Sequence, residues 1–398
     1  MSNYMLARLR SALVMRRTFA AAIALTSTLV IAACSSSGSG SGGGATSSSS
    51  ASGSSSSGVA AAKAYVQPFL TAPTSIGIST PLKTKPPAGK LIVGLDLGNV
   101  GNGKVLAGYW AQAAADAGWK YKDLVTSTTP SAIQAAFNSA VQLNPAGIVI
   151  TGIPKAALGP GLALATQKGI WVNTSGTTDQ PSGALYNTSI ASTSGTVQYG
   201  KEVAAYVVAQ SDGKAVIQDF SLPEFPIVHV FDTAFEAAVK QWCPSCKVTE
   251  HPQLSTDIGT KTPQAVVSAV TRDPSTNWLI FDIGDLATGV NAALSAAGLH
   301  GLHIGGNAAD LPQIQALKDK TQDVWIGYTL PIAAYRQVDS LIRKFEGTPI
   351  LNANLPSQLI TQDSVGSIAA DSTGHYVGVA DFRDQFKKLW LLTASAGG

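Results

Sequence analysis

The stretch from residue 241 to 247, QWCPSCK, places two cysteines three residues apart, and this spacing is used both by thiol–disulfide oxidoreductases and by small structural disulfides. A reactive thiol of the first kind opens a helix, where the helix dipole favours the thiolate. Here apolar residues at helical spacing between 230 and 241 predict a helix that ends just before Cys243, and Pro244 stops it. We therefore predict a structural disulfide between Cys243 and Cys246, with a redox site as the alternative.

The loop Gly98–Val105, GNVGNGKV, nearly matches the phosphate-binding pattern G-x-x-x-x-G-K-[ST]. Its last position is Val105, which has no hydroxyl group to hold a magnesium ion, so we expect no nucleotide here. The loop follows an apolar run and precedes a segment of helical spacing. We instead expect Asn99 and Asn102 to offer their amide groups to a small ligand.

Other chemical signatures are weak. Of the five histidines, His300 and His303 lie close together, but a pair near a strand start is more often incidental than a pair of metal ligands. The sequence contains no G-x-S-x-G motif and no evident Cys–His or paired-carboxylate arrangement. We expect no metal, no cofactor and no enzymatic activity.

The amino terminus has the features of an export signal. Four arginines and no acidic residue precede residues 18–33, which carry no charge. The run Ile31–Cys34, IAAC, resembles the bacterial lipobox, whose cysteine is lipidated and becomes the first residue of the mature protein. We predict a signal peptide over residues 1–33 and lipidation of Cys34, with an ordinary signal peptide and an incidental cysteine as the alternative. Arg16–Phe19 also fits a twin-arginine leader, so the export route stays open.

The segment after Cys34 is almost wholly Ser, Gly and Ala up to residue 58, and we expect residues 34–58 to be a flexible linker. A short extension of unassigned role follows at 59–89. Without the leader, the chain has 23 basic and 24 acidic residues. It therefore lacks the net positive charge that attracts nucleic acid. We expect a monomer outside the cytoplasm, lipid-anchored to the outer face of the bacterial cell membrane.

From residue 90 onward, apolar runs alternate with segments of helical spacing, which predicts an α/β fold with parallel sheets covered on both faces. The predicted strands are Leu91–Leu97, Tyr121–Thr126, Ala146–Thr151, Ile170–Asn173, Ala215–Phe220, Lys247–Glu250, Trp278–Ile283, Leu302–Gly305 and Val324–Tyr328.

A single hydrophobic core does not usually hold so many secondary-structure elements. We therefore predict two doubly wound, Rossmann-like lobes joined by a hinge. Lobe 1 is predicted at 90–190 with a returning segment at about 331–350, and lobe 2 at 191–330 with about 351–398. In such folds the ligand lies at the carboxyl ends of the strands.

Together these features resemble the type I periplasmic binding proteins, and more narrowly the ribose/galactose-type lipoproteins of ABC importers. Four segments carry the resemblance: Leu91–Leu95, Phe281–Gly289, Ile304–Asn307 and Leu355–Asp363. The first matches the family's opening strand, and the second resembles its F-x-x-N-D-x-x-A-x-G run. The resemblance covers about residues 90–390 and implies a solute-binding protein, a membrane permease with a cytoplasmic ATPase as partners, and no catalysis.

Three departures from the family pattern concern the ligand. Gly284 replaces an asparagine, Asn307 replaces an aspartate, and residues 151–154 lack a carboxylate that grips sugar hydroxyls. Because an unpaired buried polar group costs about 1–3 kcal/mol, a less polar crevice suits a neutral molecule that is sugar-like or partly apolar. A sensor lipoprotein of the same fold, which reports ligand to a membrane receptor, is the alternative function, and a thiol–disulfide oxidoreductase is a further one.

The residues that we expect to touch the ligand follow predicted strands. They are Asn99, Asn102, Thr151, Asn173, Thr174, Phe220, Phe225, Asp285, Asn307 and Tyr328.

Overall fold

The computed structural model of the protein describes residues 51–98, 103–187 and 192–392, with side chains from residue 56 onward. The predicted lipidation site Cys34 and the loop residues Asn99 and Asn102 lie outside the described residues. The first described element, α1, spans Ala51–Val66, so the last residues of the predicted flexible linker are helical. None of the helices in these ranges combines the length and apolar character that crossing a bilayer requires.

The first lobe is built on a sheet of five parallel strands in the order β2-β1-β3-β4-β5. The strands are β1 (Leu91–Leu97), β2 (Lys120–Thr126), β3 (Gly147–Thr151), β4 (Trp171–Ser175) and β5 (Leu185–Asn187). The helices between them are α2 (Gly103–Asp116), α3 (Pro130–Gln142) and α4 (Gly161–Gln167). A proline opens α3, where its fixed φ suits the first helical turn.

The second lobe has six strands in the order β11-β10-β9-β8-β6-β7, all parallel except the antiparallel pair β10 and β11. The strands are β6 (Val216–Ser221), β7 (Lys247–Pro252), β8 (Trp278–Phe281), β9 (His303–Gly306), β10 (Val324–Ile326) and β11 (Leu359–Thr361). The helices are α5 (Thr193–Gln210), α6 (Pro226–Trp242), α7 (Thr262–Arg272), α8 (Val290–Ala296) and α9 (Leu311–Lys318).

Two further helices return to the first lobe: α10 (Leu330–Glu346) and α11 (Phe382–Leu389). In α10, Tyr335 and Leu341 are buried in the core cluster of the first lobe. The boundary drawn from the sequence assigned α11 to the second lobe, but Phe386 and Trp390 pack against Tyr335 of α10, within the core cluster of the first lobe. Burial of these aromatic rings fixes α11 there, because it removes a large apolar area from water.

Each sheet is covered on both faces because its strands are apolar on both sides. In β1, Ile92 belongs to the core cluster under α2 and α10, whereas Val93 and Leu95 belong to the cluster under α3 and α4. In the second sheet, Ile280 faces the cluster formed with α5 and α6, and Phe281 faces the cluster formed with α7 and α8. This alternation follows the two-residue period of a strand.

The extension before β1 contacts both lobes. Val59 and Ala62 of α1 are buried in the α5–α6 cluster of the second lobe. Further along, Ile76 and Leu82 are buried in the first lobe, where Leu82 N–H donates to the carbonyl of Leu389 at 2.8 Å. The extension is therefore part of the folded body.

The cysteine pair closes the end of α6, as the helical spacing predicts. The backbone N–H of Cys243 donates to the Val239 carbonyl at 2.7 Å, and its side chain is buried. Its sulfur atom is bonded to that of Cys246, with the two Cα atoms 5.3 Å apart. Cys243 thus lies at the negative end of the helix dipole, which disfavours a reactive thiolate.

Candidate functional site

The strand order reverses once in each sheet. In the first sheet β1 lies between β2 and β3, and in the second sheet β6 lies between β7 and β8. Loops that leave such a switch point diverge to opposite faces of the sheet and open a crevice at the carboxyl ends of the strands. A ligand site is therefore expected at the loops after β1 and β6 and at those of the neighbouring strands.

In the first lobe, β3 and β4 end in a pair of hydroxyl groups. Thr151 Oγ1 and Ser175 Oγ are 2.7 Å apart, and the Gly152 N–H donates to the Ser175 carbonyl at 2.9 Å. Thr174 is 1% exposed, and its hydroxyl has no hydrogen-bond partner among the described residues. These hydroxyl groups can donate to or accept from a polar ligand.

Asn173 lies inside the first lobe and does not face the crevice. Its Nδ2 donates to Ser340 Oγ on α10 at 3.1 Å, and the side chain has no exposed area. Tyr186 Oη contacts the same hydroxyl at 2.9 Å. Asn173 therefore attaches α10 to the sheet, and we omit it from the candidate site.

In the second lobe, the loops after β8 and β9 lie against each other. Gln313 Nε2 donates to the Gly284 carbonyl at 2.8 Å, and a Cβ atom on Gly284 would come within 2.8 Å of the Ala308 carbonyl oxygen. This contact explains why glycine stands where the family pattern has asparagine. Asn307 follows β9, is 8% exposed, and its Oδ1 has no partner among the described residues.

Asp285 follows Gly284 and is half-buried beside these loops. Burial and the neighbouring Asp310 raise the pKa of its carboxyl group. Within the described residues, no side-chain hydrogen bond uses this carboxyl group. It is available to hydroxyl groups of a ligand.

Two aromatic residues predicted for the site keep part of their surface free. Phe225, directly before α6, is 37% exposed. Tyr328 follows β10 and is half-buried, with its ring edge-to-face against Tyr199 at 6.4 Å. Burial raises the pKa of Tyr328, so its hydroxyl stays protonated at neutral pH.

Phe220 does not contact the crevice, contrary to the expectation from the sequence. It has no exposed area and stacks between His251 and Phe281, with ring centroids 5.0 and 5.2 Å away. Because side chains alternate along a strand, Phe220 faces α7 and α8, whereas Asp219 and Ser221 face α6.

The face of the second sheet beneath α6 carries a group of buried carboxylates that the sequence did not reveal. Asp219 lies on β6, Asp282 directly follows β8, and Asp232 lies on α6. Each of these residues is at most 3% exposed. The Asp282 carboxylate accepts the Leu222 N–H at 2.5 Å. Burial and the neighbouring carboxylates raise the pKa of Asp232 to about 10 and of Asp282 to about 8.

A polar depression of about 290 Å³ lies where the strand ends of the first lobe meet the start of α5. It is lined by residues of the loop after β4, by Asn187, by the first residues of α5 and by Asn352 of the segment between α10 and β11. The last two elements connect the lobes, so this concave surface belongs to the hinge side of the crevice. Ser175 and the residues of this depression were missed in the sequence because they are small and polar, with no spacing that marks them as a set.

A family model described as "Periplasmic binding protein domain" matches residues 105–349, which is more than half of the chain. The chain belongs to this family. Its two doubly wound lobes are those of the type I periplasmic binding proteins. Family members bind substrates outside the cytoplasm and are not enzymes. Among curated protein sequences, none matches this periplasmic binding protein.

Solved structures show the same fold at low sequence identity. A periplasmic ribose ABC transporter protein from Conexibacter woesei superposes with a TM-score of 0.61 at 12% identity, covering 72% of this chain and 96% of that one. A sugar ABC transporter protein from Yersinia enterocolitica gives a TM-score of 0.61 at 17% identity, covering 79% and 99%. A glucose-galactose binding protein from Geobacillus stearothermophilus gives 0.59 at 17% identity, covering 70% and 99%.

Proposed function

We propose that this periplasmic binding protein captures a small neutral molecule between its two lobes and delivers it to an ABC importer. One observation carries the proposal: polar side chains without partners among the described residues lie at the strand ends of both lobes. Thr174 in the first lobe and Asn307 in the second are each less than a tenth exposed. A buried polar atom without a partner is costly, and a ligand that binds both lobes would supply the missing hydrogen bonds.

The groups around the crevice suit a hydroxyl-bearing solute. Thr151, Ser175 and Asn307 offer neutral donors and acceptors, Asp285 offers a carboxylate, and Phe225 offers an exposed apolar ring. Structures of similar fold include ribose, glucose-galactose and arabinose binding proteins. We therefore infer a sugar or a sugar-like molecule with an apolar part.

Ligand capture by this fold works through closure of the two lobes about their connecting segments. Among the described elements, five connections pass between the lobes: α1 to β1, β5 to α5, β10 to α10, α10 to β11 and β11 to α11. The closed form would be presented to a membrane permease with a cytoplasmic ATPase. A lipid on Cys34 would hold the binding protein at the outer face of the membrane, close to the permease.

A thermal-shift screen of the purified protein against neutral pentoses, hexoses and their deoxy or alkylated derivatives tests the proposal. A ligand present at 100 times its Kd stabilises the folded state by about 2.7 kcal/mol, which is a clear shift of the melting temperature. The expected hit binds with one site per chain and loses affinity in an Asn307→Ala variant. A panel without any hit, or a hit whose affinity survives substitution of both Thr151 and Asn307, would contradict the proposed site.

The oxidoreductase alternative is tested separately by a dithiol-dependent insulin reduction assay. Its outcome depends on Cys243 and Cys246 alone. Because Cys243 lies at the carboxyl end of α6, we expect no insulin reduction.

A further inference from the structure

The most unusual side-chain cluster outside the proposed solute site lies where α6 begins over the second sheet. His229 and Asp232 are one turn apart on α6, and Glu250 is on β7. One ligand-type atom from each residue lies within 4.8 Å of the other two. His229 Nδ1 is 3.6 Å from an Asp232 carboxylate oxygen and 4.0 Å from a Glu250 carboxylate oxygen.

We propose that His229, Asp232 and Glu250 bind one divalent cation of the first transition row, with Zn²⁺ as the representative ion. The site is independent of the solute and of the proposed transport function.

The distances fit a compact coordination sphere. Zinc bonds to imidazole nitrogen and carboxylate oxygen are about 2.0–2.2 Å long, so ligand atoms around a tetrahedral ion are separated by roughly 3.3–3.6 Å. The distance from His229 Nδ1 to the Asp232 oxygen, 3.6 Å, is at the upper end of this range, and the distance to the Glu250 oxygen, 4.0 Å, exceeds it by about 0.4 Å. Small rotamer adjustments of Glu250, which is 40% exposed, are enough to close the remaining gap.

The burial of Asp232 is the independent observation that points to a cation. Its side chain is 4% exposed, and neither carboxylate oxygen has a hydrogen-bond partner from another described residue. One of these oxygens faces His229. Buried carboxylates in proteins are paired or coordinate metals, and the charged groups that act most on Asp232 are themselves acidic: Asp219, Asp282 and Glu250.

The surroundings add negative charge and orient one ligand. Asp219 is the register partner of Glu250 in the sheet, is 1% exposed, and its Oδ1 also lacks a partner among the described residues. Ser221 Oγ donates to Glu250 Oε1 at 2.6 Å, and this is the oxygen that lies 4.0 Å from His229 Nδ1, so the hydrogen bond holds it beside the histidine. Hydrogen bonds of this kind to a ligating carboxylate are typical of metal sites.

The ligand types select the class of cation. An imidazole nitrogen with two carboxylates suits Zn²⁺ and its neighbours, whereas Ca²⁺ takes six to eight oxygen ligands and Mg²⁺ keeps most of its waters. His229 is 48% exposed, so an ion can reach the site from solvent and a fourth position stays open. No sequence pattern indicates the site, because Glu250 is contributed by another element and only folding brings it to His229.

Other histidine–carboxylate contacts do not converge in this way. Among the described residues, His303 Nδ1 has a single carboxylate beside it, that of Asp323 at 2.9 Å. His375 has Asp310 beside Nε2 and Asp371 beside Nδ1, so the two carboxylates lie on opposite ring atoms and cannot share one ion with it. His303 is therefore a suitable control for a surface histidine next to an acid.

The test is a Zn²⁺ titration of the full chain in detergent, measured by isothermal titration calorimetry. The protein is first treated with a chelator and desalted. The wild type and a His303→Gln variant should bind one Zn²⁺ per chain with the same affinity. His229→Gln and Asp232→Asn should each weaken binding at least tenfold, at the lower end of the effect expected for groups in a metal site. Co²⁺ in place of zinc should give the visible absorption of a four-coordinate ion in the wild type and in His303→Gln, and this absorption should be lost in His229→Gln and Asp232→Asn.

Far-UV circular dichroism without metal controls for folding. His229 is half exposed, so its replacement should leave the melting temperature of the metal-free protein unchanged, and this variant decides the outcome if Asp232→Asn is poorly folded. A wild type that binds no Zn²⁺, or a folded His229→Gln variant that binds it as tightly as the wild type, would overturn the proposal.

Discussion

The phenol of Tyr109, on α2 in the first lobe, donates a hydrogen bond to the carboxylate of Asp371, in the segment that follows β11 of the second lobe. The same segment pairs Ala370 with Tyr376, whose ring is buried in the second-lobe core and whose Oη donates to Gln358 at 3.0 Å. Tyr109 and Asp371 therefore connect the two lobes through side chains, in addition to the backbone connections.

We predict that Tyr109→Phe lowers the free energy of unfolding by about 1–2 kcal/mol at pH 7. This is near the lower end of the range for hydrogen bonds to a charged group, since Asp371 is partly exposed. Burial opposes ionisation of Asp371, but the hydrogen bonds from Tyr109 and Thr373 outweigh it and lower its pKa to about 2. Because the unfolded carboxyl titrates near 3.9, the stabilisation is complete above that pH and is lost as the pH falls towards 2.

Urea unfolding of the wild type and Tyr109→Phe at pH 6 and pH 3 checks this prediction. The difference in stability between the two proteins should be smaller at pH 3. Equal stability at pH 6 would show that the contact contributes nothing to the fold.

A second prediction concerns Glu202 on α5, which has no exposed area. Its Oε1 accepts from Gln198 Nε2 at 2.8 Å and from Ser357 Oγ at 2.7 Å, whereas Oε2 has no partner among the described residues. Burial raises its pKa to about 7, although these two hydrogen bonds favour the carboxylate. Ionisation therefore costs stability: none is lost below the unfolded pKa of about 4.3, and the loss grows as the pH rises to about 7.

Glu202→Gln keeps an acceptor for Gln198 and Ser357 but cannot ionise. Its melting temperature should exceed that of the wild type at pH 8 and approach it at pH 5. The free energies of unfolding of the two proteins should differ by on the order of 3 kcal/mol at the higher pH. Glu236→Gln, on the exposed face of α6, is the control and should follow the wild type at both pH values. A constant offset between wild type and Glu202→Gln across this range would contradict the assigned ionisation.

A third prediction concerns the cysteine pair. A Cys243→Ser/Cys246→Ser variant should still bind ligand and should melt slightly lower than the wild type. The loop between the cysteines is short, so the disulfide removes little entropy from the unfolded chain, and the loss should be at the low end of the usual 0–5 kcal/mol. Thiol titration of the exported native protein should detect neither cysteine; two fast-reacting thiols would instead favour the redox alternative.

A fourth prediction concerns membrane attachment. Wild-type protein should be found in the membrane fraction. The Cys34→Ala variant should instead be released from the membrane or accumulate as the unprocessed precursor. Stable attachment needs more than one acyl chain, which a lipidated amino-terminal cysteine supplies. Ser35→Ala, one residue further along the linker, should fractionate as the wild type does. A Cys34→Ala variant that is processed and fractionates like the wild type would exclude lipidation.

The sequence predicted the elements of the fold well and the directions of side chains less well. All nine predicted strands are present, because continuous apolar runs such as β3 and β8 have few alternatives to a buried parallel strand. The missed strands, β5 and β11, have three residues each, which is too short for any periodicity to register. The start of α1 was missed because Ser and Gly are poor helix formers, and packing of Val59 and Ala62 on the second lobe outweighs their propensity.

Side-chain direction at a strand end depends on register, and a shift of one residue reverses the face. Phe220 was therefore expected in the crevice but lies in the core, whereas Asp219 and Ser221 point towards α6. Asn173 was misjudged for a related reason: the sequence does not show that Ser340 of α10 covers it. Contacts between residues so distant in the chain leave no local pattern.

The last prediction compares two asparagines: Asn307, which follows β9 in the second lobe, and Asn173, which lies within β4 of the first lobe. The Oδ1 atoms of both asparagines lack a partner among the described residues, but Asn173 Nδ2 is bonded to Ser340 inside the first lobe, whereas no such bond holds the Asn307 side chain. If Asn307 binds the solute, Asn307→Ala should weaken affinity by about 1–3 kcal/mol, or roughly 5- to 150-fold. The melting temperature of the ligand-free protein should change little, because no bond within the described chain is lost from this side chain.

Asn173→Ala should behave in the opposite way. It removes a fully buried hydrogen bond to α10 and should lower the free energy of unfolding by about 1–3 kcal/mol, while affinity per folded molecule stays the same. Calorimetric titration with a solute found in the screen, combined with melting of each ligand-free variant, measures both quantities. Unchanged affinity together with a lowered melting temperature in Asn307→Ala would remove Asn307 from the site and assign it a purely structural role at the end of β9.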